Sequence, residues 1–398
     1  MTNKMEQKLG IAMICDPLGS NNSGSVFSTI RFGKLLKERG HHVIFVTAKT
    51  KGNPDESHNH GVKTYRYRGI PLPKGGGWKL AFPTVRELKK VFQEEKINVV
   101  HITLPMSGGI AALRAARALD IKIVAHSHSQ PENLFMDLPK FIQPTMNNLW
   151  NKYLAWMYKK AESLIYPSEF AHSLLHQLSD KDQPFKVISN GINLEHFYSK
   201  DIGDFHERFN IPANKIKLLF VGRIYPEKSI DTLIKAIPHI IKKHQDVHVM
   251  IVGGGYLKPK LEKLVLDLKM EKHITFLGLV SEEDKVLAYN ASDIFVLPSL
   301  AELEGMVVLE AMAVGKPIVV ADAEMSASRF FVDGNGFLFK SKDHLDLAQQ
   351  ALKLIENANL RKEMGAISSE KIKNYDIHKS VELLEEVYYS ALKNKPKK

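Results

Sequence analysis

The 398-residue sequence contains a single cysteine, three tryptophans and no apolar run of the about 18 residues that a membrane-spanning helix needs. One cysteine cannot form an internal disulfide, so a disulfide-stapled secreted scaffold is excluded and a reducing compartment is expected. Cys15 lies in the apolar run "LGIAMIC" and reads as a buried core thiol. Residues 1–8 are polar and run straight into a strand, unlike a signal peptide, which points to a cytoplasmic protein. Metal-ligand patterns are also scarce. His126 and His128 project to one side of a strand at i, i+2, but no clear carboxylate or cysteine partner lies beside them. Asp180-Lys181-Asp182 sits in a polar loop after a helix and reads as helix-end solvation. No metal is assigned.

What is present describes a folded protein of about two domains, with 44% hydrophobic and 25% charged residues. Formal net charge is +11, and all of it falls in the first half. Residues 1–200 hold 27 Lys and Arg against 16 Asp and Glu, and the rest hold 28 of each. Such asymmetry points to one lobe facing an anionic surface, membrane or nucleic acid, with a solvated basic face as the plainer reading.

Short β-branched runs alternate with amphipathic helices twice over. The first series starts at "LGIAMIC" and runs through "HHVIFVTA", "INVVHIT" and "IKIVAHS" to "SLIYPS" and "KVISNG". The second starts at "KIKLLFVGR" and runs through "HVMIVGGG", "ITFLG" and "DIFVLPS" to "PIVVAD" and "GFLF". This pattern predicts α/β architecture with two doubly wound parallel sheets. The polar stretch 198–215 separates them, giving domains at 1–205 and 206–376. A last helix, within 377–398, presents Val381, Leu384, Val387 and Leu392 at near-helical spacing with no strand after it, and is expected to pack towards the first domain.

Ligands of open parallel sheets sit at the carboxyl ends of strands. After the first strand, "DPLGSNNSGSVFS" offers Gly19 and Gly24 where backbone N–H groups can approach a phosphate or sugar, and "VGGGY" from Val252 is a similar weak signal. "FVGRIYPEKSID" is sharper: Arg223 and Lys228 can converge on one anion, as a pyrophosphate leaving group needs, although a salt bridge with Glu227 is the plainer reading. In "SLAELEGMVVLEAMAVGKP", Gly305 begins a helix that Gly315 stops. Its free N–H groups at Gly305, Met306 and Val307 make a phosphate site. Glu302 precedes that tip and Glu310 lies about 7 Å along the helix, at about 1.5 Å per residue, where carboxylates suit sugar and ribose hydroxyls. Glu304 reads as a solvated extra.

The Glu302…Glu310 pair at E-x7-E spacing, the Arg223…Lys228 pair at R-x4-K spacing, and "ITFLGLV", "YNASDIFVLPS", "NGINLEHF" and "NGFLF" in order resemble retaining GT-B glycosyltransferases of family four over nearly the whole chain. The resemblance implies two Rossmann-like domains facing a central cleft, with the C-terminal helix crossing back to the first. It also implies that Arg223 and Lys228 hold the diphosphate, Glu310 the ribose, and Glu302 with the Gly305–Val307 backbone the donor sugar. Gly222, Leu277, Gly278 and Val280 fall at the nucleotide, His128 near the donor sugar, and Gly19 in the first loop. Two positions depart from the pattern: Leu303-Glu304 stand where E-P-F-G or similar is usual, and "NNSGS" replaces a double glycine.

Residues 65–90 combine seven Lys and Arg with Trp78 and Phe82, and residues 132–160 add Phe135, Trp150, Tyr153 and Trp156 among lysines. Basic and aromatic residues together suit an anionic headgroup layer, with packing inside the first domain as the alternative. Trp78, Lys79, Phe82, Arg86, Lys89 and Lys90 are the candidate membrane and acceptor face. The first half is similar to bacterial glycolipid synthases. The expectation is retaining, metal-independent transfer of a hexose from a nucleotide sugar, UDP-glucose or a relative, to a lipid such as diacylglycerol at the inner face of the cell membrane, without a cofactor and without nucleic acid. A polysaccharide or small soluble acceptor, a sugar-nucleotide epimerase and a nucleic-acid binder remain alternatives.

Overall fold

The computed structural model of the chain describes residues 8–19, 24–50, 56–59, 61–72, 78–130, 134–135 and 138–393. The chain divides into two compact units, residues 1–131 with 140–190 and 377–398, and residues 132–139 with 191–376.

Among its described residues the first unit contains an eight-stranded sheet. Its strands are β1 (Gly10–Ile14), β2 (His42–Ala48), β3 (Glu56–Asn59), β4 (Val62–Tyr67), β7 (Val99–Ile102), β8 (Lys122–His126), β9 (Ser163–Tyr166) and β10 (Phe185–Val187). A small hairpin supplies β5 (Gly69–Pro71) and β6 (Lys79–Ala81). The order is β10-β9-β8-β7-β1-β2-β4-β3, parallel except for the edge pair β3/β4. β1, β7, β8 and β9 are buried along their whole length, because a parallel sheet covered by helices on both faces must bury continuous apolar runs. Cys15 is buried, and burial pushes its thiol up.

The C-terminal helix, Ile377–Lys393, belongs to this unit. It buries Val381, Leu384, Tyr388 and Ala391 in the same apolar cluster as β1, β2, β7 and β8. Leu392 is only partly buried. Polar clamps add to this packing: Glu385 accepts from Arg39 Nε at 2.9 Å and lies 2.8 Å from His41 Nε2, and Lys186 pairs with Glu386.

The second unit is built on a fully parallel six-stranded sheet. Its strands are β11 (Ile216–Val221), β12 (Val247–Val252), β13 (Ile274–Gly278), β14 (Ile294–Leu297), β16 (Ile318–Asp322) and β18 (Gly336–Lys340), in the order β13-β12-β11-β14-β16-β18. The two-residue strands β15 (Ala301–Glu302) and β17 (Met325–Ser326) pair beside it. The helices His344–Ile355 and Ala358–Lys371, which the strand–helix alternation did not announce, complete this unit.

The unit boundary falls at Gly191, earlier than residue 205. The reason is packing: Ile192 N donates to Tyr375 O at 2.8 Å, and Ile192, Phe197 and Phe205 are buried in the second apolar core. The glycines of "VGGGY" also have a packing cause. A Cβ on Gly253, at φ 137°, would lie 1.8 Å from the Gly222 carbonyl oxygen, so the loops after β11 and β12 can pass each other only as glycine.

Candidate active site

Where the strand order of an open parallel sheet reverses, the carboxyl ends of two neighbouring strands border a crevice. In the second unit these are β11 and β14. β11 delivers Gly222, at φ 156°, and Arg223; β14 leads through Ser299 into β15 and Glu302. A single 3-10 turn, Pro226–Lys228, then carries Lys228 back towards β15. Leu300 N donates to Glu227 O at 2.7 Å, and Lys228 Nζ donates to the Glu302 carboxylate. Arg223 donates to Glu227 at 3.1 Å, and its guanidinium lies 4.9 Å from the centre of the Tyr225 ring. Glu227 is only 2% exposed, and the Lys228 and Glu302 side chains 12% and 14%. Each cation therefore meets a carboxylate partner. These are not the loose solvent-exposed pairs that contribute little to stability; such desolvated charges need their partners.

Gly305 caps the helix Met306–Ala313 with φ 102° and no side-chain hydrogen bond to the first N–H groups. A Cβ there would lie 2.2 Å from Ser328 Oγ, so only glycine fits. Gly315, at φ 70°, follows the helix end. Glu310 is buried, 4% exposed, and accepts from Tyr289 Oη at 2.9 Å and Lys285 Nζ at 3.2 Å. Sequence reasoning missed these two partners. Both project from the helix Glu282–Ala291, whose charged first turn masked an inward-facing Lys285. A carboxylate offers about four acceptor sites, so two such bonds still allow hydroxyl donors. Glu304 corrects the expectation of a solvated side chain: it is 4% exposed, turned inward near enough to Tyr375 that its charge, after burial, helps push that phenol up. Leu277, Gly278 and Val280 lie at the end of β13, where Gly278 adopts φ 73° and its carbonyl accepts from Gly253 N at 2.8 Å.

In the first unit the order reverses between β1 and β7. β1 ends beside Asp16, a residue the sequence reading passed over although it directly follows the apolar run. Its Oδ2 accepts from Ala81 N at 2.9 Å, Gly108 N at 3.1 Å and Ser107 Oγ at 3.1 Å. Burial pushes its carboxyl up to about 6 in spite of those donors. Gly19 packs against Thr50, and residues 20–23 of the same loop lie outside the described residues.

His128 follows β8. Its ring stacks on His126 with centroids 3.9 Å apart, and His126 stacks on His101 at 5.5 Å. Rings stacked face to face do not converge on an ion, and no metal-holding group of His, Cys, Asp or Glu occurs among the described residues. Burial lowers His101 and His128 to about 3 and His126 well below its ordinary value, so all three are neutral imidazoles at pH 7.

The candidate membrane face is partly redrawn. Trp78 is half-buried and packs in part against the first core. Phe82, Arg86 and Lys90 are exposed; Lys79 donates to Lys49 O at 3.2 Å, Lys90 pairs with Glu94 at 3.7 Å, and Lys89 is half-buried. The larger outward apolar groups come from the second stretch: Phe141, 81% exposed, with Leu149 and Trp156 on the helix Gln143–Tyr158. Lys152 and Lys159 fall on the same stripe at i, i+3, i+7, i+10 from Leu149. Among the described residues no helix is long and apolar enough to cross a membrane.

Comparison with known proteins agrees with this architecture. The family model for Glycosyltransferase Family 4 matches residues 22–196, and that for Glycosyl transferases group 1 matches residues 201–371. The alpha-monoglucosyldiacylglycerol synthase of Acholeplasma laidlawii is 28% identical over 338 residues, 81% of this chain and 83% of that protein. The N-acetyl-alpha-D-glucosaminyl L-malate synthase of Bacillus anthracis is 24% identical over 397 residues, 97% of this chain and 98% of that protein. Among solved structures, the sucrose-phosphate synthase of Thermosynechococcus elongatus superposes with a TM-score of 0.83 at 21% identity, covering 96% of this chain and 99% of its own, which establishes the shared GT-B fold. With its two parallel-sheet units each matched by one of these families, the chain belongs to the group 1, family four glycosyltransferases.

Proposed function

We propose that this glycosyltransferase moves a hexose from a nucleotide sugar, UDP-glucose or a close relative, to a membrane lipid such as diacylglycerol, with retention at the anomeric carbon. The observation that carries the donor half is the pairing of Arg223 with Glu227 and of Lys228 with Glu302 at the carboxyl edge of β11, beside the uncapped helix start at Gly305. The carboxylates hold the two cations in place until a diphosphate, richer in negative charge, competes for them. Arg223 and Lys228 then stabilise the diphosphate as it departs, and its oxygen takes the acceptor's proton on the same face of the sugar, so no separate base is needed. The Met306 and Val307 N–H groups with Gly305 and Glu302 bind the sugar, Glu310 the ribose, and Gly222, Leu277, Gly278 and Val280 border the base. Gly19 shapes the first loop, and His128 supplies a neutral imidazole to the transferred sugar. The charge on the leaving group is met by side chains, and the reading assigns no step to a metal.

The lipid acceptor is supported by the basic first half, by the outward Phe141, Leu149 and Trp156 among lysines, and by likeness to a diacylglycerol glucosyltransferase. It implies a peripheral protein at the inner membrane face. A soluble acceptor is the second reading, favoured by the longer likeness, over 97% of this chain, to the N-acetyl-alpha-D-glucosaminyl L-malate synthase. Incubating the protein with several nucleotide sugars, with diacylglycerol vesicles or with malate, and weighing the products by mass spectrometry decides between them. A hexosylated lipid is expected. A hexosylated malate with untouched lipid moves the enzyme to the soluble class, and conversion of the donor without any acceptor moves it to the epimerases.

A further inference from the structure

The first unit spends three imidazoles beside a core cluster made of aliphatic and aromatic side chains with Met13 and Cys15. His101 on β7 is registered opposite Val124 of β8, so His126, two residues further along β8, shares its face of the sheet. That is the face covered by the C-terminal helix. Both ring nitrogens of His126, and the Nε2 atoms of His101 and His128, are buried without a hydrogen-bond partner. Stranding polar atoms in this way is unfavourable, and an apolar side chain would pack as well. The row has a direction. At its inner end Tyr388 Oη lies 2.6 Å from His101 Nδ1, fully buried, with the phenol ring edge-on to the imidazole. Burial keeps the tyrosine proton in place, and the neutral phenol and the neutral imidazole share one hydrogen bond whose direction follows the His101 tautomer. His101 stacks on His126 with an interplanar angle of 18°, and His126 on His128 with 29°, while the Phe32 ring lies 6.2 Å from that of His126 at 25°. At its outer end the row stops at His128, just past the carboxyl end of β8.

We infer that Tyr388 of the C-terminal helix is a positioning residue for His128, acting through the stacked rings of His101 and His126. One hydrogen bond fixes the His101 plane, each ring restricts the next, and the last ring is held in a single orientation without a hydrogen bond of its own at Nε2. The C-terminal helix is then a working part of the site as well as a cover for the sheet. The inference rests on the proposed role of His128 at the transferred sugar.

The test is Tyr388→Phe, assayed with UDP-glucose and diacylglycerol vesicles and followed by imidazole 15N NMR. The expected result is a kcat about tenfold lower with the KM for UDP-glucose unchanged, the size of effect when a reacting partner loses its orientation. The imidazole signals of His126 and His128 should shift along with that of His101. A cover helix with no positioning role would change only thermal stability, so unmoved His128 signals, or an unmoved kcat, overturn the inference. If the single variant fails to fold, His101→Phe with Tyr388→Phe removes both polar partners together and restores packing. In that variant kcat should remain low although stability returns, and recovery of both overturns the inference. His128→Ala separates the two readings. Full activity in that variant sinks the sugar-contact role, whereas the NMR shifts in Tyr388→Phe judge the ring relay on their own.

Discussion

The two units solve the same topological problem with different chemistry at the strand ends. The second closes its switch point with backbone: Gly222, Gly253 and Gly305 all adopt positive φ, and two ion pairs hold the cations among them. The first closes its switch point with buried titratable side chains, Asp16 under three donors and the row His101, His126 and His128. A site shaped by glycine backbone takes its geometry from φ and ψ, and a site shaped by neutral buried histidines depends on those rings staying unprotonated.

Acid should break this symmetry most strongly. Each stacked histidine has its folded value below the ordinary 6.5, so the unfolded chain binds the proton first, and the stability each contributes is complete above pH 6.5 and lost as pH falls, towards about 3 for His101 and His128. Asp16 runs the other way: its value is raised to about 6, so its protonation returns stability as pH falls from there towards 3.8. Three histidines against one aspartate leave the loss in excess, so the first unit becomes less stable as pH falls below 6. All three tryptophans, Trp78, Trp150 and Trp156, lie in that unit, so their fluorescence reports it alone. Urea midpoints by fluorescence should fall faster with acid than those by far-ultraviolet circular dichroism. Parallel loss in both signals would erase the contrast.

Glycine substitution tests the other side. Gly253→Ala forces a Cβ against the Gly222 carbonyl and should destabilise the second unit by about 3 kcal/mol or more. Gly19→Ala meets the tip of the Thr50 side chain, Cγ2 at 2.8 Å and Oγ1 at 3.1 Å, with no backbone atom among its nearest contacts, and should cost about 1 kcal/mol. Similar losses in denaturant titrations of the two variants would mean that the first loop is as tightly built as the second.

Smaller effects sharpen the account of the first unit. Glu385→Gln leaves Arg39 and His41 facing a neutral acceptor and should lower stability by about 1–2 kcal/mol in the fluorescence signal. At the surface, changing Lys79, Arg86, Lys89 and Lys90 together to Ser should weaken binding to anionic vesicles by about 100-fold or more at low salt and little at high salt, since each cation contributes about 1 kcal/mol, screened over about 8 Å. Phe141→Ser with Trp156→Ser should remove the salt-resistant remainder. Equal sedimentation with neutral and anionic vesicles would remove the membrane reading.

Legibility followed the same division. The parallel sheets and the helix opened by Gly305 and stopped by Gly315 were readable, because each is written in a short stretch where glycine directly borders a regular element, and so was the Arg223–Glu227 salt bridge that the sequence offered as the plainer reading. Glu304 misled because residue type predicts burial only on average, and a loop can turn a carboxylate inward. Tyr289, Lys285 and the histidine row were invisible because their partners are distant in sequence; Tyr388 meets His101 only once the C-terminal helix has docked.

The most direct test of the central claim is the rate of hexose transfer from UDP-glucose by Arg223→Ala and Lys228→Ala beside the unaltered protein. If the two cations carry the leaving diphosphate, each variant should transfer about 100-fold more slowly or worse, as when a group stabilising transition-state charge is lost, with the protein still folded and EDTA making no difference to any of the three. Near-normal turnover in both variants would contradict the account.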